Sequence, residues 1–135
     1  MELDFTWKPE YSVGNVELDI QNRTFLQLCA RARECAEGIQ GDEHFHAVLN
    51  DLMQYALKHF NLEETVLEKN HYPEIEAQKS SHLEFIRTLT LYLEAAMCRH
   101  LKKQEVADFI WNWWLFHILK SDMRFRDTLM ARKTK

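Results

Sequence analysis

A chain of 135 residues with only three glycines and two prolines has little means of turning. Sandwiches and barrels need tight corners at short intervals, and glycine and proline are the residues that make them. Long helices joined by few, short connections need far fewer. The expected fold class is therefore all-α. The length suits one ordinary domain with a sizeable core, and 46% of the residues are hydrophobic, enough to fill it.

Charge and patterning exclude several classes of function. The net charge is -4, with Lys and Arg spread along the chain, so no basic footprint for nucleic acid is present. The longest apolar run, Phe109 to Leu119, is interrupted by Asn112 and His117 and is too short to span a bilayer. The N-terminus has no basic-then-apolar signal pattern. Cys29, Cys35 and Cys98 are odd in number and lack metal-type CxxC spacing, which fits free thiols in a reducing cytoplasm. The expected localisation is cytoplasmic, with no nucleic-acid or membrane partner.

Residues 1–16, with Trp7, Pro9, Tyr11 and Gly14, show no sustained periodicity and read as an N-terminal arm whose aromatics pack on the rest. A first helix is expected over 17–38, with Leu18, Asn22, Phe25, Leu26, Cys29 and Ala36 at helical spacing. A second runs over 42–69, with Asp42 as N-cap and an inward stripe of Phe45, Val48, Leu52, Tyr55 or Ala56, His59, Glu63 and Val66. Asn70 to Tyr72 form a turn, and Pro73 suits the first position of a third helix over 73–100. That helix carries Ile75, Gln78, His82, Phe85, Leu89, Leu93 and Ala96 on one face. A fourth, over 104–130, carries Val106, Ile110, Trp113, Trp114 and His117, then Asp122.

The polar members of these stripes fall early in the first helix (Asn22), late in the second (His59, Glu63), early in the third (Gln78, His82) and late in the fourth (His117, Asp122). In an up-down-up-down antiparallel four-helix bundle, that alternation brings all of them to one level. His59 and Glu63, four residues apart, share a helix face. His117 and Asp122 are five apart, a spacing that a regular helix does not place on one face. One histidine on an apolar face is ordinarily a hydrogen-bonded core residue. Three imidazoles, two carboxylates and two amides together would each cost ~1–3 kcal/mol or more if buried unpartnered. A first-row cation satisfies such a set more simply than a structural network does. His44, His46, His71 and His100 lie near helix ends or turns and read as surface residues, Cys29 and Cys98 as core, and Glu64 and Asp127 as solvated or supporting carboxylates. Trp113, Trp114, Phe116 and Ile118 surround His117 and pack there. Of these, Trp113, Trp114 and Ile118 are expected to wall a dry pocket that admits a small apolar ligand.

Several motifs carry a family resemblance. They are Phe5-Thr6-Trp7 to Gly14 in the arm, Leu18-Asp19-Ile20-Gln21-Asn22 against I-D-x-Q-H, and His59-Phe60 to Glu63-Glu64 against H-F-x-x-E-E. Tyr72-Pro73 to Gln78 and His82 stand against Y-P-x-x-x-x-H-x-x-x-H, and Trp114 to His117-Ile118 and Asp122 against W-x-x-H-I-x-x-x-D. In this order and spacing the chain resembles the hemerythrins, specifically the bacterial hemerythrin-like domains, over essentially its whole length. The resemblance implies a non-haem di-iron centre bridged by Glu63 and Asp122, with His82 and His117 on one iron and His59 on the other. Gln78 and Asn22 stand where the family has two further histidines. Amides are weaker, neutral donors, so looser metal binding, open ligand positions and altered redox behaviour are expected, with Glu74 available to fill a vacancy.

The resemblance implies a binding domain rather than an enzyme, because no general acid or substrate pocket can be assigned. The expected role is a dioxygen-binding or redox-sensing module, with dioxygen, oxo or water as exogenous ligand. Its basic C-terminal end would join a signalling output domain such as a diguanylate cyclase. The alternatives are an oxygen carrier or store, and a metal-free interaction module on the same bundle.

Overall fold

The structure is a computed structural model that describes residues 3–38, 42–97 and 102–133. All regular structure among them is helical. A short 3-10 turn at Pro9–Tyr11 in the arm precedes α1 (Val16–Ala36), α2 (Asp42–Lys69) and α3 (Ile75–Met97). The fourth rod is composite: α4 (Lys103–Trp113), a π-helical stretch (Trp114–Ser121) and α5 (Asp122–Lys133). The rods form an antiparallel four-helix bundle in which α1 packs on α2 and α4, and α2 packs on α3. No helix among the described residues is long and apolar enough to cross a membrane.

Local chemistry sets the helix ends. The Asn15 side chain accepts the Leu18 backbone N–H at 3.0 Å and caps α1, a contact typically worth ~1 kcal/mol. In the first turn of α1, Asp19 binds the arm: its carboxylate accepts the Ser12 hydroxyl at 2.5 Å and the Val13 N–H at 2.8 Å. Gly14 takes φ +84°, and a Cβ there would meet the Met130 sulfur at 3.0 Å, so glycine is favoured where the arm touches α5. The end of α2 is a Schellman motif: Tyr72 N–H donates to Leu67 O and His71 N–H to Glu68 O, with His71 at φ +54°.

Three details differ from the sequence reading. Pro73 lies in the turn before α3, which starts at Ile75, because the Schellman turn occupies the residues just ahead of it. Leu67 rather than Val66 is fully buried at the end of the α2 stripe. The fourth rod is not a regular helix. The side chain of Asp42, the expected N-cap, lies outside the described residues, as do Cys98 and His100.

The core is divided. A large cluster built on Phe25, Leu52, Phe60, Phe85, Ile110, Trp114 and Ile118 fills one end of the bundle. A smaller one, of Val13, Leu18, Leu67, Tyr72, Phe125 and Leu129, closes the other. Three rods enter both clusters and carry a polar residue between: Asn22 between Leu18 and Phe25, Glu63 between Phe60 and Leu67, Asp122 between Ile118 and Phe125. On α3, Gln78 and His82 lie between Ile75, which packs on the smaller cluster, and Phe85. The buried polar level is thus a layer sealed by apolar side chains on both sides. The arm supports the larger cluster, with Phe5 edge-on to Trp111 at 5.2 Å and Tyr11 edge-on to Trp114 at 5.3 Å.

Candidate metal centre

Every polar residue of that layer is buried: Asn22, His59, Glu63, Gln78, His82, His117 and Asp122. Glu63 stands at the centre. One of its oxygens lies 3.1 Å from His59 Nε2, and the other lies 3.0 Å from His82 Nε2 and 3.9 Å from His117 Nε2. Asp122 Oδ1 lies 3.1 Å from His117 Nε2. Two groups with mutually close donor atoms result, Glu63–His82–His117 and His59–Glu63–Asp122, and Glu63 belongs to both.

The π-helical stretch explains how Asp122 joins His117 across five residues. In a π turn the backbone bond runs from i to i+5, and here the Asp122 N–H donates to the His117 carbonyl itself. Residues five apart are thereby stacked on one face. Regular helical periodicity, on which the sequence was read, leaves these two residues unpaired.

Within the layer His82 Nε2 and Glu63 Oε1 form a hydrogen bond at 3.0 Å, but the other close approaches are not matched by one. Glu63 Oε2, His117 Nε2 and both Asp122 oxygens are buried without a hydrogen-bond partner, although Asp122 Oδ1 lies 3.1 Å from His117 Nε2 and Glu63 Oε2 lies 3.1 Å from His59 Nε2. Donor atoms that converge in this way without a hydrogen bond between them are placed to share a cation. Asn22 Nδ2 and Gln78 Oε1 are also buried and unpartnered. Asn22 Oδ1 accepts the Tyr55 hydroxyl at 3.5 Å; exchanging the amide's O and N would turn its oxygen to where Nδ2 now lies, with Nδ2 donating to the Tyr55 hydroxyl. The donor set of imidazoles, carboxylates and amide oxygens fits one or two first-row cations. Glu74 carries an exposed carboxylate bonded by the Tyr72 hydroxyl at 3.2 Å and belongs to neither donor group, so it does not fill the place beside Gln78.

The electrostatics follow from burial and proximity. Burial alone would raise Glu63, yet the imidazoles of His117, His59 and His82 facing it hold it well below the usual carboxylate range. Burial and the charge of Glu63 raise Asp122 to about 6. For His117, burial favours the neutral ring, but the carboxylates of Asp122 and Glu63 outweigh it and bring the pKa to about 9.

Two supporting contacts hold the imidazoles, one from Glu64, read from sequence as a solvated or supporting carboxylate, and one from Gln21, which the sequence did not single out. His59 Nδ1 pairs with Gln21 Oε1 at 2.7 Å, and His82 Nδ1 with Glu64 Oε2 at 2.8 Å. Each ring also lies against an aromatic face: Tyr55 on His59, Phe60 on His82 at 4.0 Å, and Trp113 on His117 at 3.9 Å. Tyr55 and Trp113 are each four residues before their histidine, so same-face spacing carried that signal. Of the expected pocket wall, Trp113 and Ile118 are beside or next to His117, whereas the Trp114 ring faces Phe25, Tyr11 and Trp7. Phe116 points to solvent with the Lys120 ammonium 5.0 Å above its ring, so it does not surround His117. His71 and Asp127 are exposed, and His44 and His46 half-buried.

The profile of the hemerythrin HHE cation binding domain matches residues 13–128. The chain is 25% identical to a bacteriohemerythrin of Clostridium acetobutylicum, over 91% of this chain and 99% of the relative. It is 26% identical to a bacteriohemerythrin of Pseudomonas aeruginosa, over 91% and 80%. A crystal structure of wild-type hemerythrin superposes with a TM-score of 0.80 at 21% identity, covering 92% of this chain and 96% of that one. With the fold, the buried layer and the matched profile in agreement, this chain belongs to the hemerythrin HHE cation binding family.

Proposed function

We propose that the chain binds a pair of non-haem iron ions through His59, Glu63, His82, His117 and Asp122, with Glu63 and Asp122 as the shared carboxylates, and works as a dioxygen-binding or redox-sensing domain. The observation that carries this reading is that Glu63 belongs to two donor groups at once while its Oε2, His117 Nε2 and both Asp122 oxygens are buried without a hydrogen-bond partner. When bound, an iron pair supplies accessible redox states and positions for a small exogenous ligand. The chain's own part is to orient and shield. Gln21 and Glu64 fix two of the rings, and the apolar clusters on either side exclude bulk water.

Asn22 and Gln78 favour sensing over stable carriage, because a site with two amides in place of imidazoles is more labile. His117 and Asp122 both belong to the rod that continues through α5, so a change at the site is passed directly to the C-terminal helix. An attached output domain, such as a diguanylate cyclase, would read that change. The test is metal analysis of purified, iron-reconstituted protein, followed by optical spectroscopy as the reduced form meets air. An iron-dependent ferric charge-transfer band that returns on re-reduction supports the reading. Stable reversible oxygenation would point to a carrier instead, and protein that holds no iron would be a metal-free interaction module.

A further inference from the structure

Beside the centre lies a small funnel that neither the fold nor the donor set requires. Its volume is about 70 Å³, room for roughly two water molecules at ~30 Å³ each. Its mouth carries two exposed residues of opposite charge, Glu74 and Arg124, and its walls the half-buried hydroxyls of Ser81 and Ser121. Its floor is buried and carries Tyr72 and Gln78. Gln78 is 5% exposed, and its Oε1 has no partner. It lies one helical turn before His82 on the same face of α3, and Ser121 directly precedes Asp122. The funnel therefore reaches the inner layer at Gln78, one of the two residues where an imidazole is expected and an amide stands.

We propose that this funnel is a port for a small polar inorganic ligand of up to about three heavy atoms, such as water, peroxide or a linear anion. The port leads to the cation position held by Glu63, His82 and His117, with Gln78 as its inner gate. The inference rests on the metal reading above. A cation and an anion share the mouth, so selection falls to size and hydrogen bonding rather than charge. The hydroxyls of Ser81 and Ser121 and the Gln78 amide supply both donors and acceptors along the way. A histidine at position 78 would spend its ring on the cation. A glutamine there leaves a coordination place open and a hydrogen-bonding group next to it.

The experiment uses the iron-loaded ferric protein, with metal content measured first and azide as probe, followed through its charge-transfer absorption by stopped flow. Ser81→Leu plugs the wall, Ser80→Leu places the same side chain on the adjacent exposed position, and Gln78→Ala removes the gate. Azide should enter Ser81→Leu about tenfold or more slowly and Gln78→Ala faster, with Ser80→Leu like the unsubstituted protein. Unchanged rates in both Ser81→Leu and Gln78→Ala, or no azide band in iron-loaded protein, would overturn the port while leaving the iron site standing. Absence of iron would remove the site itself and the port with it. Circular dichroism checks folding, and should Ser81→Leu fail to fold, the Gln78→Ala rate decides alone.

Discussion

Two imidazoles of the centre are anchored through the nitrogen turned away from the central carboxylate, and the two anchors differ. Glu64 accepts from His82 with a carboxylate, while Gln21 meets His59 with a neutral amide. A carboxylate behind a ring fixes its tautomer and makes it a stronger donor than an amide does. The His82 position is therefore the one that better supports a more highly charged cation. Replacing Glu64 with Gln keeps a hydrogen-bonding group of the same length but removes the charge. Because Glu64 is half-buried at the edge of the layer, its loss should leave the fold intact. Cation affinity should fall roughly 10–100-fold in chelator competition, and the reduction potential should rise. Glu64→Ala with unchanged affinity and potential would mean that the 2.8 Å contact is incidental. Away from the centre, Cys29 donates weakly to the Ile110 carbonyl in a dry setting that pushes its thiol well above the ordinary range.

At the level of elements, the turn after α2 and the π stretch are where helical regularity gives way. His71 holds the left-handed position of the Schellman motif, where a side chain with a Cβ is strained and glycine is not. His71→Gly should stabilise the protein by about 1 kcal/mol, read as a rise in denaturant midpoint with unchanged slope, and a β-branched residue there should do the reverse. The motif also brings Tyr72 back onto Leu67 in the smaller cluster, which starts α3 after Pro73 rather than at it. How much of this was legible in the sequence depends on the kind of signal. Amphipathic stripes with period 3.6 located all four rods, and the early–late alternation of Asn22, His59, His82 and His117 located the polar layer. The pairing of His117 with Asp122 obeys a five-residue period, invisible to a reading tuned to 3.6. Gln21 and Glu64 each adjoin a layer residue in the chain. Whether they reach a ring depends on how neighbouring helices are rotated, and no single-helix pattern contains that. The smaller cluster was missed because it is assembled from the arm, the helix ends and α5, each contributing only one to three residues.

For the molecule as a whole, the polar layer couples stability to protons and to cations. In the metal-free protein His117 is raised to about 9 from an ordinary 6.5, chiefly by Asp122 and Glu63 against the opposing effect of burial. A group raised on folding contributes stability that is complete below its unfolded pKa and is lost as pH climbs through the folded one. The Asp122 contribution, with its pKa at about 6, is already gone by neutral pH. That of Glu63, held low, is present above the ordinary carboxylate range and lost only in acid. Of these three groups, His117 dominates the change between pH 6.5 and 9, with Asp122 contributing only at its lower edge. At ~1.36 kcal/mol per pH unit the loss from this group reaches up to about 3 kcal/mol. A cation claims the same Nε2 lone pair, so its binding at pH 7 expels the proton, and the loaded protein has no such slope. Thermal unfolding across pH 6.5–9 should therefore show a falling midpoint without metal and a nearly level one with it. Affinity for a redox-inert probe such as Zn²⁺ should rise by at most about tenfold per pH unit over the same range, as expected for one displaced proton. Parallel pH profiles with and without metal would show that His117 does not contribute its Nε2 to the cation. The layer would then be held together by its own protons, with the His117–Asp122 pair as a buried ion pair closed between the two apolar clusters.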